Sequence, residues 1–162
     1  MIAIDPGPEK SAWVMIIQDQ LTQAEICTNE EMLKTLRMYR GHMLAVEMIA
    51  SYGMPVGSEV FETCVWIGRF IEACQGKHEK VYRKDVKMHL CGNMKAKDSN
   101  IRQALIDKYG PGKEKAIGLK ATPGPLYGFK ADMWAALGVG VTWCETRGGV
   151  VCGGGQTNVT GK

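Results

Sequence analysis

No run in this sequence approaches the roughly 20 consecutive apolar residues that a membrane-spanning helix needs, so no membrane partner is expected. Met1 leads straight into strand-like sequence, with no basic leader and no cleavage site. No secretory signal is therefore expected, and the expected location is cytoplasmic. The six cysteines (Cys27, Cys64, Cys74, Cys91, Cys144 and Cys152) include no CxxC pair and no zinc-type spacing. They read as free thiols, mostly in the core, which argues against a disulfide scaffold and a structural zinc. There is no internal repeat. What is present is ordinary for a globular protein: 162 residues, 45% hydrophobic and 23% charged, enough for one domain with a proper core. That domain is expected over residues 1–147, followed by a flexible tail, 148–162, marked by Gly153-Gly154-Gly155.

The net charge of +3 conceals an uneven distribution. Residues 1–76 hold 5 Lys/Arg against 10 Asp/Glu, whereas residues 77–130 hold 13 against 5. A basic middle third beside an acidic first half suggests an anionic partner engaged by one face, although a solvated charged surface explains basic runs as well.

Pattern and punctuation predict three strands at the start: Ile2–Asp5, Ser11–Gln18 and a shorter Leu21–Cys27, the last two joined by a tight Asp19-Gln20 link. Thr28-Asn29-Glu30-Glu31 is a capping box opening a helix with Met32, Leu33, Leu36 and Tyr39 on one face and Gly41 at its end. Met43–Ile49 reads as a buried strand, apart from Glu47. A long helix over Ser58–Gln75, capped by Ser58, is expected to pack through Phe61, Val65, Ile67, Gly68 and Ile71. A brief strand, Lys80–Arg83, and a short helix or turn, Lys84–Cys91, follow. Asp98-Ser99-Asn100 then starts a helix over Ile101–Tyr109, stopped by Gly110-Pro111. Residues 110–130 read as a loop, and Ala131–Cys144 as a buried final helix. Three antiparallel strands followed by βα units predict an α/β fold, a five-stranded mixed sheet with helices on both faces. In such sheets, sites form beyond the strand ends.

Three carboxylates stand out. Asp5 ends an apolar strand, Ile2-Ala3-Ile4, where Pro6-Gly7 turns the chain. Glu47 lies inside Met43–Ile49, where an isolated buried carboxylate is too costly to leave uncompensated. Asp132 begins an otherwise apolar helix. Each has a plain alternative: a solvated turn for Asp5, an outward-facing edge or an ion pair for Glu47, the helix dipole for Asp132. Together they suggest more. If the first and fourth strands are neighbours, Asp5 and Glu47 project at one sheet end, and a crossing helix delivers Asp132 between them. Such a cluster calls for cations, and hard oxygen ligands favour Mg²⁺, with Mn²⁺ as a substitute. Two ions about 4 Å apart would activate water and stabilise the leaving oxygen of a phosphodiester. The basic segment would hold the nucleic-acid backbone beside them.

The sequence resembles the RuvC-type Holliday-junction resolvases of the ribonuclease H-like superfamily, most closely the short phage forms, over roughly residues 1–144. The resemblance rests on Ile2-Ala3-Ile4-Asp5-Pro6-Gly7, Ala45-Val46-Glu47, Val65-Trp66-Ile67-Gly68-Arg69, Lys95-Ala96-Lys97-Asp98 with Ile101, and Ala131-Asp132-Met133-Trp134-Ala135-Ala136-Leu137. It implies a ribonuclease H-like fold and a homodimer that binds four-way or branched DNA and nicks it with Mg²⁺. For a phage-encoded chain the compartment would be the host cytoplasm. No small-molecule cofactor is implied. Two departures stand out. The family carries Asp-x-x-Asp at the last motif, but Phe129 and Ala135 flank Asp132 at that spacing. An aromatic that can wedge into the junction stands three residues past the strand glutamate in the family. That position is Ala50 here; Tyr52 is the nearest substitute, and packing within its loop is the favoured account of it.

The expected roles follow. Asp5 bridges the metals, and Glu47 and Asp132 complete their shells. Lys95, Lys97 and Arg102 are candidate phosphate contacts, with Arg83, Lys84, Lys87 and Lys120 behind them; each is equally a candidate for a solvated helix face. Alternatives are a flap or RNA:DNA-hybrid nuclease of the same superfamily, and a module that binds branched DNA without cutting it. A sugar-kinase or actin-like ATPase is disfavoured, because one short domain lacks a second lobe to close over ATP.

Overall fold

A computed structural model of the chain describes residues 1–51, 53 and 55–147. Tyr52 and the 148–162 tail lie outside the described residues. The central sheet has the order β3-β2-β1-β4-β5. Its strands are β1 (Ile2–Asp5), β2 (Lys10–Ile17), β3 (Gln20–Thr28), β4 (Leu44–Met48) and β5 (His78–Tyr82). The pairs β1–β2 and β2–β3 are antiparallel, while β1–β4 and β4–β5 are parallel. This is the mixed sheet the pattern predicts. The β2–β3 turn falls at Gln18-Asp19, one residue earlier than expected, with φ of 46° and 65°. Two positive φ angles give a two-residue hairpin the twist its strands require. A bulge at Thr22, where the register shifts between Met15 and Ile16, gives β3 nine residues against eight in β2, so it is not the shorter strand.

Alternation along the strands sorts their side chains to two cores. Ile2, Ile4, Leu44 and Val46 join Trp13 and Met15 under α1 (Asn29–Met38) and α2 (Ser58–Cys74). Ala3, Ala45, Val14, Ile16 and Val81 face α3 (Arg83–Cys91), α4 (Asp98–Tyr109) and α6 (Met133–Thr146). Helices therefore cover both faces.

The capping box forms as read: the Glu31 amide donates to Thr28 Oγ1, and the Thr28 amide donates to Glu31 Oε2. Two expectations for α2 fail. Gly57, not Ser58, is the N-cap, and Phe61 and Val65 are 62% and 58% exposed. The buried face is Thr63, Ile67, Phe70, Ala73 and Cys74. Both faces of this helix carry apolar residues, so periodicity alone did not select the inner one.

Residues 110–130 are not plain loop. They hold a one-turn helix, α5 (Lys113–Ala116), and a small hairpin of β6 (Gly118–Leu119) and β7 (Thr122–Pro123). Leu126, fully buried, anchors the excursion to the core. On the far side, Glu145 of α6 accepts a hydrogen bond from Lys108 Nζ and pairs with His89 Nε2, each at 2.7 Å, tying α6 to α4 and α3. Helix α6 lies close on β1 and β2 because Gly140 has no side chain. A Cβ there would stand 3.1 Å from Ala3 Cβ and 2.9 Å from Ile16 Cδ1.

Candidate metal centre at the strand ends

Ile4 pairs with Val46 across the parallel β1–β4 ladder, so Asp5 and Glu47 follow at the same level on adjacent strands. Each lies two residues beyond an alanine, Ala3 or Ala45, whose side chain faces the α6 layer, so strand alternation sends both carboxylates to that face. Parallel β5 ends beside them at Tyr82, paired with Met48, and Arg83 is the next residue. Asp5, Glu47 and Arg83 thus leave three neighbouring strand ends. They line one cleft of about 250 Å³ together with Pro6 and residues 48–50. Helix α6 crosses this face and sets Asp132 at its start.

The pair behaves as one acidic unit. Burial, the neighbouring Glu47 and then Asp132 push the Asp5 carboxyl from 3.8 up to about 8. Burial raises Glu47 as well, opposed by Arg83. The two carboxyls stand close enough for each to perturb the other, and burial holds both above the usual carboxylate range. Asp132 is exposed and makes no capping hydrogen bond with its helix. Its helix starts at Met133, two residues later than expected, because Ala131 has a left-handed φ of 41°.

Among the described residues, no three His, Cys, Asp or Glu side chains form a ready-made metal cage. Asp5 and Glu47 are brought together, while Asp132 stands at the rim and acts on Asp5 through its charge. The donor set nevertheless suits a hard divalent cation. Its side-chain donors are carboxylate oxygens, and the burial that raises both carboxyls is what a bound cation would offset. Phe129, where the resemblance leads one to look for a fourth carboxylate, packs edge-on against Trp134 with ring centroids 5.2 Å apart.

The candidate phosphate contacts separate into groups. Arg83, Lys84 and Lys87 line a depression with Met94 that adjoins the acidic cleft through Arg83. Arg83 is also paired, with Nη1 3.6 Å from Glu47 Oε2 and Nη2 2.6 Å from Asp98 Oδ1. Lys95 and Lys97 are exposed on the loop leading into α4. Arg102 of α4 stacks its guanidinium 4.7 Å above the Trp134 ring, near Asp132. Lys120 is exposed on the β6–β7 hairpin and lines neither the acidic cleft nor the basic depression beside it.

Sequence reasoning missed the brace behind Asp5. Ser11 Oγ donates to Asn29 Oδ1 at 2.7 Å, Asn29 Nδ2 donates to the Gly7 carbonyl at 2.9 Å, and the Gly7 amide donates to Ser11 Oγ at 3.4 Å. Ser11 and Asn29 are each 1% exposed, so the network fixes the Pro6-Gly7 turn from inside the protein. A serine within the apolar run Ser11–Ile17 was the available signal. At Gly7 a Cβ would meet the Lys10 carbonyl oxygen at 2.5 Å. Gly7→Ala should therefore shift this turn and destabilise the fold by about 1–3 kcal/mol. A melting temperature within error of wild type would show that the turn yields freely.

No family model matches the sequence, and no curated protein matches it. Among solved structures, Thermus thermophilus RuvC matches with a TM-score of 0.63 at 17% identity, over 94% of this chain and 99% of that one. A structure of T. thermophilus RuvC in complex with Holliday junction substrate matches with the same values. At that identity the likeness is one of fold, and the fold is ribonuclease H-like, as in RuvC.

Proposed function

We propose that the chain is a divalent-metal-dependent endonuclease acting on branched DNA, with four-way junctions as its substrate. The observation that carries this reading is the buried Asp5–Glu47 pair at the ends of neighbouring parallel strands, directly beside a basic depression. The fold likeness supports it, since the matching T. thermophilus RuvC is described in complex with Holliday junction substrate.

Asp5 and Glu47 would hold the ion, with Asp132 approaching from the rim. A bound Mg²⁺ or Mn²⁺ supplies Lewis acidity and a water acidic enough to attack at neutral pH. The protein's own part is to hold both carboxylates on strand ends, give up the proton that burial favours on Asp5, and fix the turn after Asp5 through Ser11 and Asn29. Lys84 and Lys87 offer charge to the phosphates at the cleft edge. Lys95, Lys97 and Arg102 extend that surface along the loop and first turns of α4, and the cytoplasm is where such a protein would meet DNA. The test compares nicking of a four-way junction, a flap, an RNA:DNA hybrid and linear duplex in Mg²⁺ and in Mn²⁺. Preferential nicking of the junction supports the proposal, while preference for flap or hybrid moves the substrate elsewhere in the superfamily.

One observation favours a second reading, a module that binds branched DNA without cutting it. The three carboxylates do not stand as a ready-made cage, and Phe129 supplies no oxygen. Tight junction binding with no nicking in Mn²⁺ would decide for it.

A homodimer suits a two-fold symmetric substrate. Phe61 and Val65 lie exposed on one stripe of α2, and nothing stands within 4 Å of a Cβ built at Gly68 on the same stripe. We place the dimer contact there. Val65→Glu, at an exposed position, should leave the fold intact and convert a dimer to a monomer in light scattering. An unchanged dimer would put the contact elsewhere.

A further inference from the structure

Arg83 does not stand free to receive a phosphate. Its guanidinium lies between two carboxylates, 3.6 Å from Glu47 and 2.6 Å from Asp98, and lines the cleft that contains Asp5. Building on the metal-nuclease reading above, we infer that Arg83 takes the place of one of two cations, so that each chain binds a single divalent ion beside a fixed guanidinium.

The first support is the supply of oxygens. Among the described residues, the carboxylates lining the cleft are Asp5 and Glu47, with Asp132 near enough to act on Asp5 by its charge. Asp98 is taken up by Arg83, Glu47 Oε2 is already directed at Arg83, and the side chains of Phe129 and Ala135 add no donor. A hard cation of this class needs several oxygens at short range. One ion can draw on this set, whereas two would have to divide it.

The second support is the way Arg83 is held. It is the first residue of α3, directly after β5, and its side chain is 30% exposed. Asp98, the first residue of α4, grips it from the solvent side. A guanidinium clamped between two elements is not a loose side chain that an arriving ion would push into water. Its position near Glu47 opposes a second dication there by like-charge repulsion. The third support is chemical. A guanidinium presents five N–H donors in a fixed plane, a fork suited to phosphate oxygens as well as carboxylates. Arg83 engages Glu47 and Asp98 through its two terminal nitrogens, at the point where the acidic cleft meets the basic depression.

The test counts ions on the full-length protein, using Mn²⁺ itself as the probe and the electron paramagnetic resonance signal of free Mn²⁺ as the readout. Wild type should bind one Mn²⁺ per chain. Arg83→Gln should bind a second ion or hold the first about tenfold more tightly. Arg83→Lys, which keeps the charge, should stay at one ion with an affinity near wild type and guards against a general loss of structure. Two ions on the wild type, or Arg83→Gln indistinguishable from it in count and affinity, would overturn the inference while leaving the nuclease reading intact. Absence of Mn²⁺ binding by wild type and both variants at millimolar concentration would remove the nuclease reading and this inference together.

Discussion

Asp5→Asn is expected to bind a four-way junction at least as tightly as wild type and to nick it at least about 10²–10³-fold more slowly, the scale on which removing one group that stabilises developing charge acts. The substitution keeps the size and shape of the side chain, so the turn braced by Ser11 and Asn29 remains in place. It removes the carboxyl group that would ionise to hold a divalent ion. Binding should not suffer, because Lys84 and Lys87 attract the phosphates and an amide at position 5 adds no charge to repel them. Binding is measured by gel shift in Ca²⁺ or EDTA and cutting in Mg²⁺ or Mn²⁺. If Asp5→Asn cuts as fast as wild type, Asp5 holds no catalytic ion.

The second large effect concerns stability in the absence of metal. The Asp5 carboxyl titrates at about 8 in the folded protein against 3.8 for an ordinary aspartate, mainly because it is buried and faces Glu47. A group with a raised folded pKa contributes stability that is complete below its unfolded value and disappears as pH climbs through the folded value. The metal-free protein should therefore lose stability between about pH 4 and pH 8 through this group. The loss reaches up to several kcal/mol, because each tenfold difference in proton affinity between folded and unfolded chain is worth about 1.4 kcal/mol. For a chain of this size that is about 2–4 °C of melting temperature per kcal/mol. Asp5→Asn cannot titrate there. The difference in melting temperature, Asp5→Asn minus wild type, should grow with pH across that interval in EDTA and shrink when Mn²⁺ is added. A difference that stays flat with pH would show that burial and Glu47 leave Asp5 an ordinary carboxylate. The same linkage makes ion binding weaken as pH falls below about 8, because the ion must displace that proton.

Much of this arrangement was legible in the sequence because strand alternation is a strict rule. Once Ile2–Asp5 and Leu44–Met48 lie side by side in parallel, Asp5 and Glu47 must emerge on one face, two residues beyond Ala3 and Ala45. Asp132 stood out for a similar reason, as the acid entering a helix apolar on all sides. Features that depend on tertiary packing were not legible. Nothing in Val81-Tyr82-Arg83-Lys84 distinguishes an arginine locked between Glu47 and Asp98 from one in solvent. The outward turn of Phe61 and Val65 depends on what covers α2 rather than on its own periodicity. The fold of residues 110–130 depends on Leu126 being drawn into the core, which Gly- and Pro-rich flanks conceal. Tyr52, the proposed substitute for a wedging aromatic, lies outside the described residues.

The left-handed Ala131 gives the centre two halves of unequal firmness. Asp5 and Glu47 hang from strands bonded on both sides within the sheet. Asp132 hangs from a helix end entered through a backbone angle that costs a non-glycine residue about 1–2 kcal/mol. The first amides of that helix are held by three-residue hydrogen bonds, 3.1 Å for Met133 and 3.4 Å for Trp134. Local opening concentrates where the backbone is least secured. In the proposed centre, the third carboxylate therefore hangs from the least secured stretch of backbone, and the first two from the most secured.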